Sequence, residues 1–235
     1  MAPSTTPEFY PKLLSLAVHE LRTPASVVGG YLRMVLRDTE SPLSERQRKM
    51  LEEAEKSVTR MVALIGELSD VGKIDAGLAP FARQEFDLFP ALLEVASNMH
   101  EAEDREVRFE ARGDQSGAPV TGDNARIQTA FQSIFKAILR EQPSTCTVVA
   151  LRRIETIGGV RSAVVVIAEE STVQAAYESP AGPFDDKRGG LGLLLPIARR
   201  VIEGHGGQLT APIAPAGSDQ PTIRSAAIVS LPLRS

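Results

Sequence analysis

The sequence predicts a helical hairpin able to pair into a dimeric four-helix bundle, followed by an α+β sandwich domain. Three observations carry this expectation. Apolar residues recur at three-and-four spacing through the first third of the chain, which is the mark of long amphipathic helices. That rhythm breaks at the Gly- and Pro-containing stretch 77–80. Beyond it, Val- and Ile-rich runs of strand length alternate with helical patterns, as in a mixed sheet with helices on one face.

The first helix is expected over 12–37, with a stripe of Leu13, Leu16, Ala17, Leu21, Val27, Val28, Tyr31, Leu32 and Val35. Pro24 lacks an N–H and should kink or loosen the helix after Thr23. A turn at 38–42 follows, and Ser44 is placed to cap a second helix over 45–73. That helix carries its own stripe, Met50 or Leu51, Ala54, Val58, Met61, Val62, Ile65, Leu68 and Val71. A two-helix hairpin cannot cover its apolar stripe alone, so pairing with a second copy is expected, and with it a homodimer. The domain boundary is placed so that 1–78 forms the hairpin and 79–235 the second domain. There, helices are expected over 88–101, 124–140 and 193–203, and strands over 106–111, 147–154, 163–168 and 225–232. Loops rich in Pro, Gly and Ala fall at 179–182 and 211–217, the latter read as a surface excursion.

Composition excludes several classes. The 235 residues are 43% hydrophobic and 24% charged, ordinary values for a globular protein. A net charge of -4 without a long basic run gives no basis for nucleic-acid binding. The single cysteine, Cys146, cannot form an internal disulfide, and no Cys/His cluster of zinc type is present. No stretch approaches the roughly 18–20 apolar residues of a membrane span, and the N-terminus lacks a signal-peptide pattern. A cytoplasmic address is therefore expected, with membrane contact only through a segment outside this chain.

The most specific motif is His19-Glu20-Leu21-Arg22-Thr23-Pro24. A phosphoryl acceptor needs a neutral imidazole with one free ring nitrogen. Glu20, beside it, can accept the other ring proton and so fix the tautomer. Thr23 follows one helical turn later on the same face. Singly, each is an ordinary surface residue. Together they resemble the phosphoacceptor box of the two-component sensor histidine kinases, and the similarity continues through ERQRKMLEEAEKSVTRMVALIGELSDVGKIDAG and FDLFPALLEVA. The resemblance implies that His19 carries phosphate and exchanges it with an aspartate on the receiver domain of a response regulator. An acidic residue followed three positions later by Thr also resembles the family's phosphatase motif, in which the hydroxyl orients an attacking water. Local bending at Pro24 would help the second domain reach His19.

Near the C-terminus, Arg188-Gly189-Gly190-Leu191-Gly192-Leu193 precedes LLPIARRVIEGHGGQL. It resembles the glycine box in which the family's ATP lid ends and a helix begins. The resemblance implies an ATPase-type catalytic domain, with Gly189, Gly190, Leu191, Gly192 and Leu193 near phosphate and ATP with Mg²⁺ as cofactors; His205 reads as structural. The other boxes are altered. Gapless alignment from Arg126 puts the metal-binding asparagine of the family at Ala137 and an earlier one at Ser133. Alanine supplies no oxygen for Mg²⁺. Arg140 matches the basic residue that follows and is a candidate phosphate contact, while Lys136 reads as surface. After the strand 163–168, the adenine-reading Asp is replaced by Glu169 or, in the other register, Ala168, and neither expected glycine is present. Phe184 stands as the remnant of the lid phenylalanine in a shortened lid. Such losses together should cost several kcal/mol, with about 1.5–3 for one charged hydrogen bond, which argues against tight ATP binding in the ordinary manner.

Three functions remain open from sequence. One is a histidine kinase with His19, Glu20 and Thr23 as the reacting group and its neighbours. A second is an ATP-independent phosphotransferase or regulator phosphatase with a vestigial nucleotide domain. The third is a non-enzymatic pseudokinase module, against which the intact six-residue box speaks.

Overall fold

The computed structural model describes residues 9–143, 145–213, 223 and 225–234. The chain divides into two compact units, Met1–Pro80 and Phe81–Ser235. The stretch 211–217, expected as a surface excursion, lies outside the described residues beyond 213.

The first unit is a hairpin of α1 (Phe9–Arg37) and α2 (Glu45–Asp75). Ser44 caps α2 in a capping box, its hydroxyl accepting from the Gln47 N–H while the Gln47 side chain accepts from the Ser44 N–H at 3.0 Å. Pro24 does not end α1. Its ring leaves the Glu20 carbonyl without the usual backbone donor, yet the helix continues for thirteen more residues to Arg37. The face that α1 turns to its partner is built from Val18 and Ala25, buried with Ile65 and flanked by Val62 and Leu68. Gly29 continues this seam: a methyl group there would stand 3.2 Å from a Val58 methyl. Most of the larger residues in the expected stripe are on the other side. Leu13, Leu16, Leu21, Val27, Val28, Tyr31 and Val35 are exposed, as are Met50 and Met61 on α2. The hairpin thus closes through small residues and leaves the large ones uncovered.

The second unit runs β1 (Gln84–Asp87), α3 (Leu88–Ser97), β2 (Val107–Gly113), β3 (Pro119–Gly122), α4 (Asn124–Glu141), β4 (Cys146–Ile157), β5 (Val160–Glu169), α5 (Val173–Glu178), β6 (Ala181–Pro183), α6 (Leu194–Gly204), β7 (Gln208–Pro212) and β8 (Ala226–Pro232). Six strands form one mixed sheet in the order β2-β4-β5-β8-β7-β6, and β1 pairs with β3 as a separate ribbon. Among the described residues, only β2 and β4 pair in parallel. The β4–β5 hairpin turns at Gly158-Gly159, both at positive φ as a tight two-residue connection requires.

Helices α3, α4 and α6 pack on one face in a single core containing Phe89, Phe131, Phe135, Ile138, Leu195 and Ile202. On β5 the odd residues Ala163, Val165 and Ile167 enter that core. The even residues Val164, Val166 and Ala168 enter a second cluster with Ala176 of α5 on the opposite face. The sequence expects this helix over 88–101, but α3 stops at Ser97, where the Asn98 side chain donates to the Glu94 carbonyl at 2.9 Å.

Two polar features hold α4 in place. At its start, the Asp123 carboxylate accepts from the N–H groups of Arg126 and Ala82, both at 3.1 Å. Burial alone would raise the Asp123 carboxyl, but these two donors, with the Arg126 cation nearby, outweigh it and hold it below its usual range. At its end, Arg105 donates to the carbonyls of Leu139, Arg140 and Gln142. His205 ties the next layer to this one: its Nε2 accepts from the Asp123 N–H at 2.9 Å and its Nδ1 contacts the Val201 carbonyl at 2.6 Å.

A cap of this kind contributes about 1 kcal/mol, so Asp123→Ala should lower unfolding stability by that order at neutral pH. Because the folded carboxyl is depressed, its contribution is present above the unfolded pKa of about 3.9 and lost as pH falls through the lower folded value. Urea unfolding of both proteins across pH 3 to 7 checks this: the gap between them should close at the acidic end.

Candidate functional site

Residue 18 faces α2, and a helix turns about 100° per residue, so residue 19 must point outward. His19 does so, with 78% of its side chain exposed and Glu20 at 69%. The two are hydrogen-bonded, His19 Nδ1 to Glu20 Oε1 at 3.1 Å. With the carboxylate ionised, the contact requires Nδ1–H as donor, which leaves the Nε2 lone pair available to solvent. The Thr23 hydroxyl lies on the same exposed flank and donates to the His19 carbonyl at 3.4 Å. Imidazole, carboxylate and hydroxyl therefore share one turn of α1. Such a surface nucleophile can take an electrophile from another protein without any cavity.

The glycine segment of the second unit is held against α4. Arg188–Gly190 forms a short 3-10 turn, and Gly189, Gly190 and Gly192 all have positive φ before α6 begins after Leu193. Leu191 is buried. Gly189 lies directly on Ala137: a Cβ added to it would stand 2.8 Å from the Ala137 Cα and 3.2 Å from its methyl. Only glycine fits there, on both steric and conformational grounds. Ala137 is wholly buried in this contact. Ser133, the other altered position, is also buried and donates its hydroxyl to the Thr129 carbonyl of its own helix at 3.0 Å.

Charged groups fasten the same segment. Arg140 donates from Nη1 to the Gly189 carbonyl at 3.2 Å and from Nε to Glu101 at 2.7 Å. Glu141 accepts from the Gly189 N–H at 3.2 Å and from the Ser225 hydroxyl at 2.6 Å. Arg188 donates to the Ala226 carbonyl at 3.1 Å, and its guanidinium covers the ring of the buried Phe184. Further back, Asp186 receives two nitrogens of Arg199, which also donates to the carbonyls of Phe184 and Leu209. Phe184 to Gly189 is thus a strap tied at Arg199, Glu141, Arg140 and Ala137.

Glu169 lies on the α4 face by the alternation of β5, whereas Ala168 is buried on the other face. Its carboxylate accepts from the Ser171 hydroxyl at 3.0 Å. The chain then leaves the α4 face. Residues 173–178 form α5 against the back of β5 and β8, with Arg153 over the Tyr177 ring and the Tyr177 hydroxyl donating to Glu155. Strand β6 then adds to the far edge of β7. The strap and, after it, α6 return to the α4 side.

Glu141, Glu101, Asp186 and Arg199 were not singled out in the sequence. Apart from the Arg199–Glu203 pair one helical turn apart, their partners lie 10 to 84 residues away, and a pairing of that range leaves no local pattern. Among the described residues, no group of three or more His, Cys, Asp or Glu side chains could hold a metal ion, and no helix is long and apolar enough to cross a membrane.

With this geometry in hand, residues 12–77 match the family of His Kinase A (phospho-acceptor) domains. The signal transduction histidine-protein kinase BarA of Escherichia coli is 26% identical over 204 residues, covering 82% of this chain and 22% of BarA. The sensor protein DivL of Caulobacter vibrioides is 25% identical over 194 residues, covering 80% of this chain and 24% of DivL. The chain thus spans about a fifth of the length of such relatives. Among solved structures, full-length ShkA in complex with AMPPNP superposes with a TM-score of 0.66 at 16% identity, covering 95% of this chain and 45% of ShkA. The Acinetobacter baumannii histidine kinase AdeS gives 0.52 at 16% identity, covering 92% of this chain and 98% of that one. At such identities these two speak for the fold: a helical hairpin followed by a sheet domain.

The strap contact makes a stability prediction. Gly189→Ala adds a Cβ at positive φ, costing about 1–2 kcal/mol, and forces it onto Ala137. The variant should unfold several degrees below wild type by calorimetry, whereas Gly190→Ala, with open space around it, should lose less.

Proposed function

We propose that this chain, whose residues 12–77 match the His Kinase A (phospho-acceptor) domains, is a member of the sensor histidine kinases, and that it carries a phosphoryl group on His19 and exchanges it with an aspartate of a response regulator's receiver domain. The observation that carries the reading is the exposed imidazole whose Nδ1 is engaged by Glu20 at 3.1 Å. That hydrogen bond fixes which nitrogen reacts and offsets the positive charge the ring acquires when Nε2 bonds to phosphorus. Thr23 is in place to orient a water on the same flank, the role of the hydroxyl in regulator dephosphorylation. The first unit, 1–78, is in this reading the dimerisation and phosphoacceptor domain, and 79–235 descends from the ATPase-type catalytic domain. AMPPNP in ShkA speaks for nucleotide use by that relative. A cytoplasmic address, where receivers are met, belongs to the same reading.

A homodimer is part of it. The uncovered row Leu13, Leu16, Leu21, Val27, Val28, Tyr31 and Val35 on α1, with Met50 and Met61 on α2, is a contiguous run of apolar side chains along a two-helix stem. Pairing with a second hairpin converts that row into the core of a four-helix bundle. Sedimentation equilibrium at micromolar concentration should give twice the chain mass, and Leu16→Glu with Val28→Glu should shift it toward the monomer. A wild-type monomer would remove the dimer from this reading.

The phosphocarrier itself is tested by offering the full chain labelled phosphate from both γ-labelled Mg–ATP and a panel of phosphorylated receivers. Wild type should gain label that is lost in acid and kept in alkali, as expected of an N–P bond. His19→Gln should gain none, with an unchanged circular dichroism spectrum. Equal labelling of the two proteins would place the phosphate elsewhere.

A further inference from the structure

We propose that the second unit does not take ATP, and that the phosphoryl group on His19 is supplied by an acyl phosphate, the aspartyl phosphate of a receiver domain. The second half rests on the reading of His19 given above; the first stands on the second unit alone.

Five observations carry the first half. Mg²⁺ needs oxygen donors, and the positions matching the metal-binding face of α4 are Ala137, with none, and Ser133, whose buried hydroxyl is directed to its own helix. The volume in front of Ala137 is filled by the Gly189 backbone, so a phosphate or its metal would have to displace the strap. Two donors at this point are engaged: the Gly189 N–H by Glu141, and Arg140 of α4 by Glu101 and the Gly189 carbonyl. Glu141 also puts a carboxylate beside the glycine turn, where a triphosphate would bring several negative charges. Finally, the segment after Glu169 is spent on α5, on the far side of the sheet, so that it cannot form an adenine pocket on the α4 side.

An imidazole cannot acquire phosphate without a donor of high transfer potential. Without a nucleotide site, the donor must arrive on another molecule, and the open setting of His19 admits a protein surface. In the step, the Nε2 lone pair attacks phosphorus and forms an N–P bond. The P–O bond to the aspartyl carboxylate breaks, and the carboxylate leaves with the electron pair. The Nδ1 proton stays on the ring against Glu20, whose charge balances the resulting imidazolium. The reverse step hands the group to a second receiver. The chain then occupies the middle of a relay, downstream of the reaction that spends ATP.

The test uses the full chain. Titration with Mg–ATP and a fluorescent ATP analogue should show no saturable binding at millimolar concentration and no rise in melting temperature. γ-Labelled Mg–ATP should leave His19 unlabelled, while labelled receiver phosphate should pass to wild type and not to His19→Gln. Ala137→Asn, which would restore a metal ligand to an open site, should lower the melting temperature by crowding Gly189 and gain no nucleotide binding. Saturable Mg–ATP binding by wild type or by Ala137→Asn, or ATP-derived label on His19, overturns this inference and leaves the phosphocarrier standing. Absence of label from every donor overturns the donor half together with the His19 reading.

Discussion

Burial of Val18 against α2 is the contact on which the stem's chemistry depends. Val18 and Ala25 lie two turns apart on one face, and Gly29 prolongs it. Residues this small let two helices approach closely and settle the rotation of α1 about its axis. Once residue 18 is inside, residue 19 is outside, and Glu20 and Thr23 fall on the neighbouring surface. The same rotation turns the large apolar side chains away from α2. Exposure of the imidazole and exposure of the apolar row are therefore two results of one packing choice. The second gives the hairpin a reason to seek another copy of itself.

A comparable constraint governs the second unit. The α4 helix buries Phe131, Ile134, Phe135, Ile138 and Leu139, so its position is set by the sheet below it. Its upper face then offers Ala137, and the strap rests there because nothing larger projects. The network around that point joins backbone and side chains from α4, the strap and the β8 end through Arg140, Glu141 and Arg188. Removing the glycine box would take from Arg140 and Glu141 their backbone partners at Gly189, so the box has a structural part of its own.

Much of this was legible in the sequence because the relevant signals are local. The two stem helices, the Ser44 cap and the His19–Glu20–Thr23 turn all follow from spacing within a few residues. Helices α4 and α6 and strands β4, β5 and β8 were found within three residues at each end because their apolar patterns are long. What escaped was short or non-local. Strands β1, β3, β6 and β7 have five residues or fewer, and α5 has six. Arg152 shows the other limit. It is a charged residue in mid-strand, 1% exposed, with Nη1 on the Phe89 carbonyl and Nε on the Arg112 carbonyl. Its partners come from segments 63 and 40 residues distant, and no local pattern marks a charge as buried. The direction taken by the chain after Glu169 was illegible for the same reason: its Ala and Val residues suit either face of the sheet.

The two units also differ in what their polar contacts are for. The His19–Glu20 pair is open to solvent, and exposed pairs of this kind add little to stability. Its place in the proposed phosphotransfer is chemical, selecting one ring nitrogen and meeting the charge that would develop on the other side. The Asp186–Arg199 and Glu141–Ser225 contacts are partly buried, and with the exposed Arg140 contacts they surround one strap and involve several backbone groups, the arrangement by which polar networks rigidify a fold. A nucleotide site needs the opposite, with donors left unsatisfied until ligand arrives and a cleft whose walls do not touch. The His19 imidazole stands open on the exposed flank of the stem, while the glycine segment is held by internal bonds.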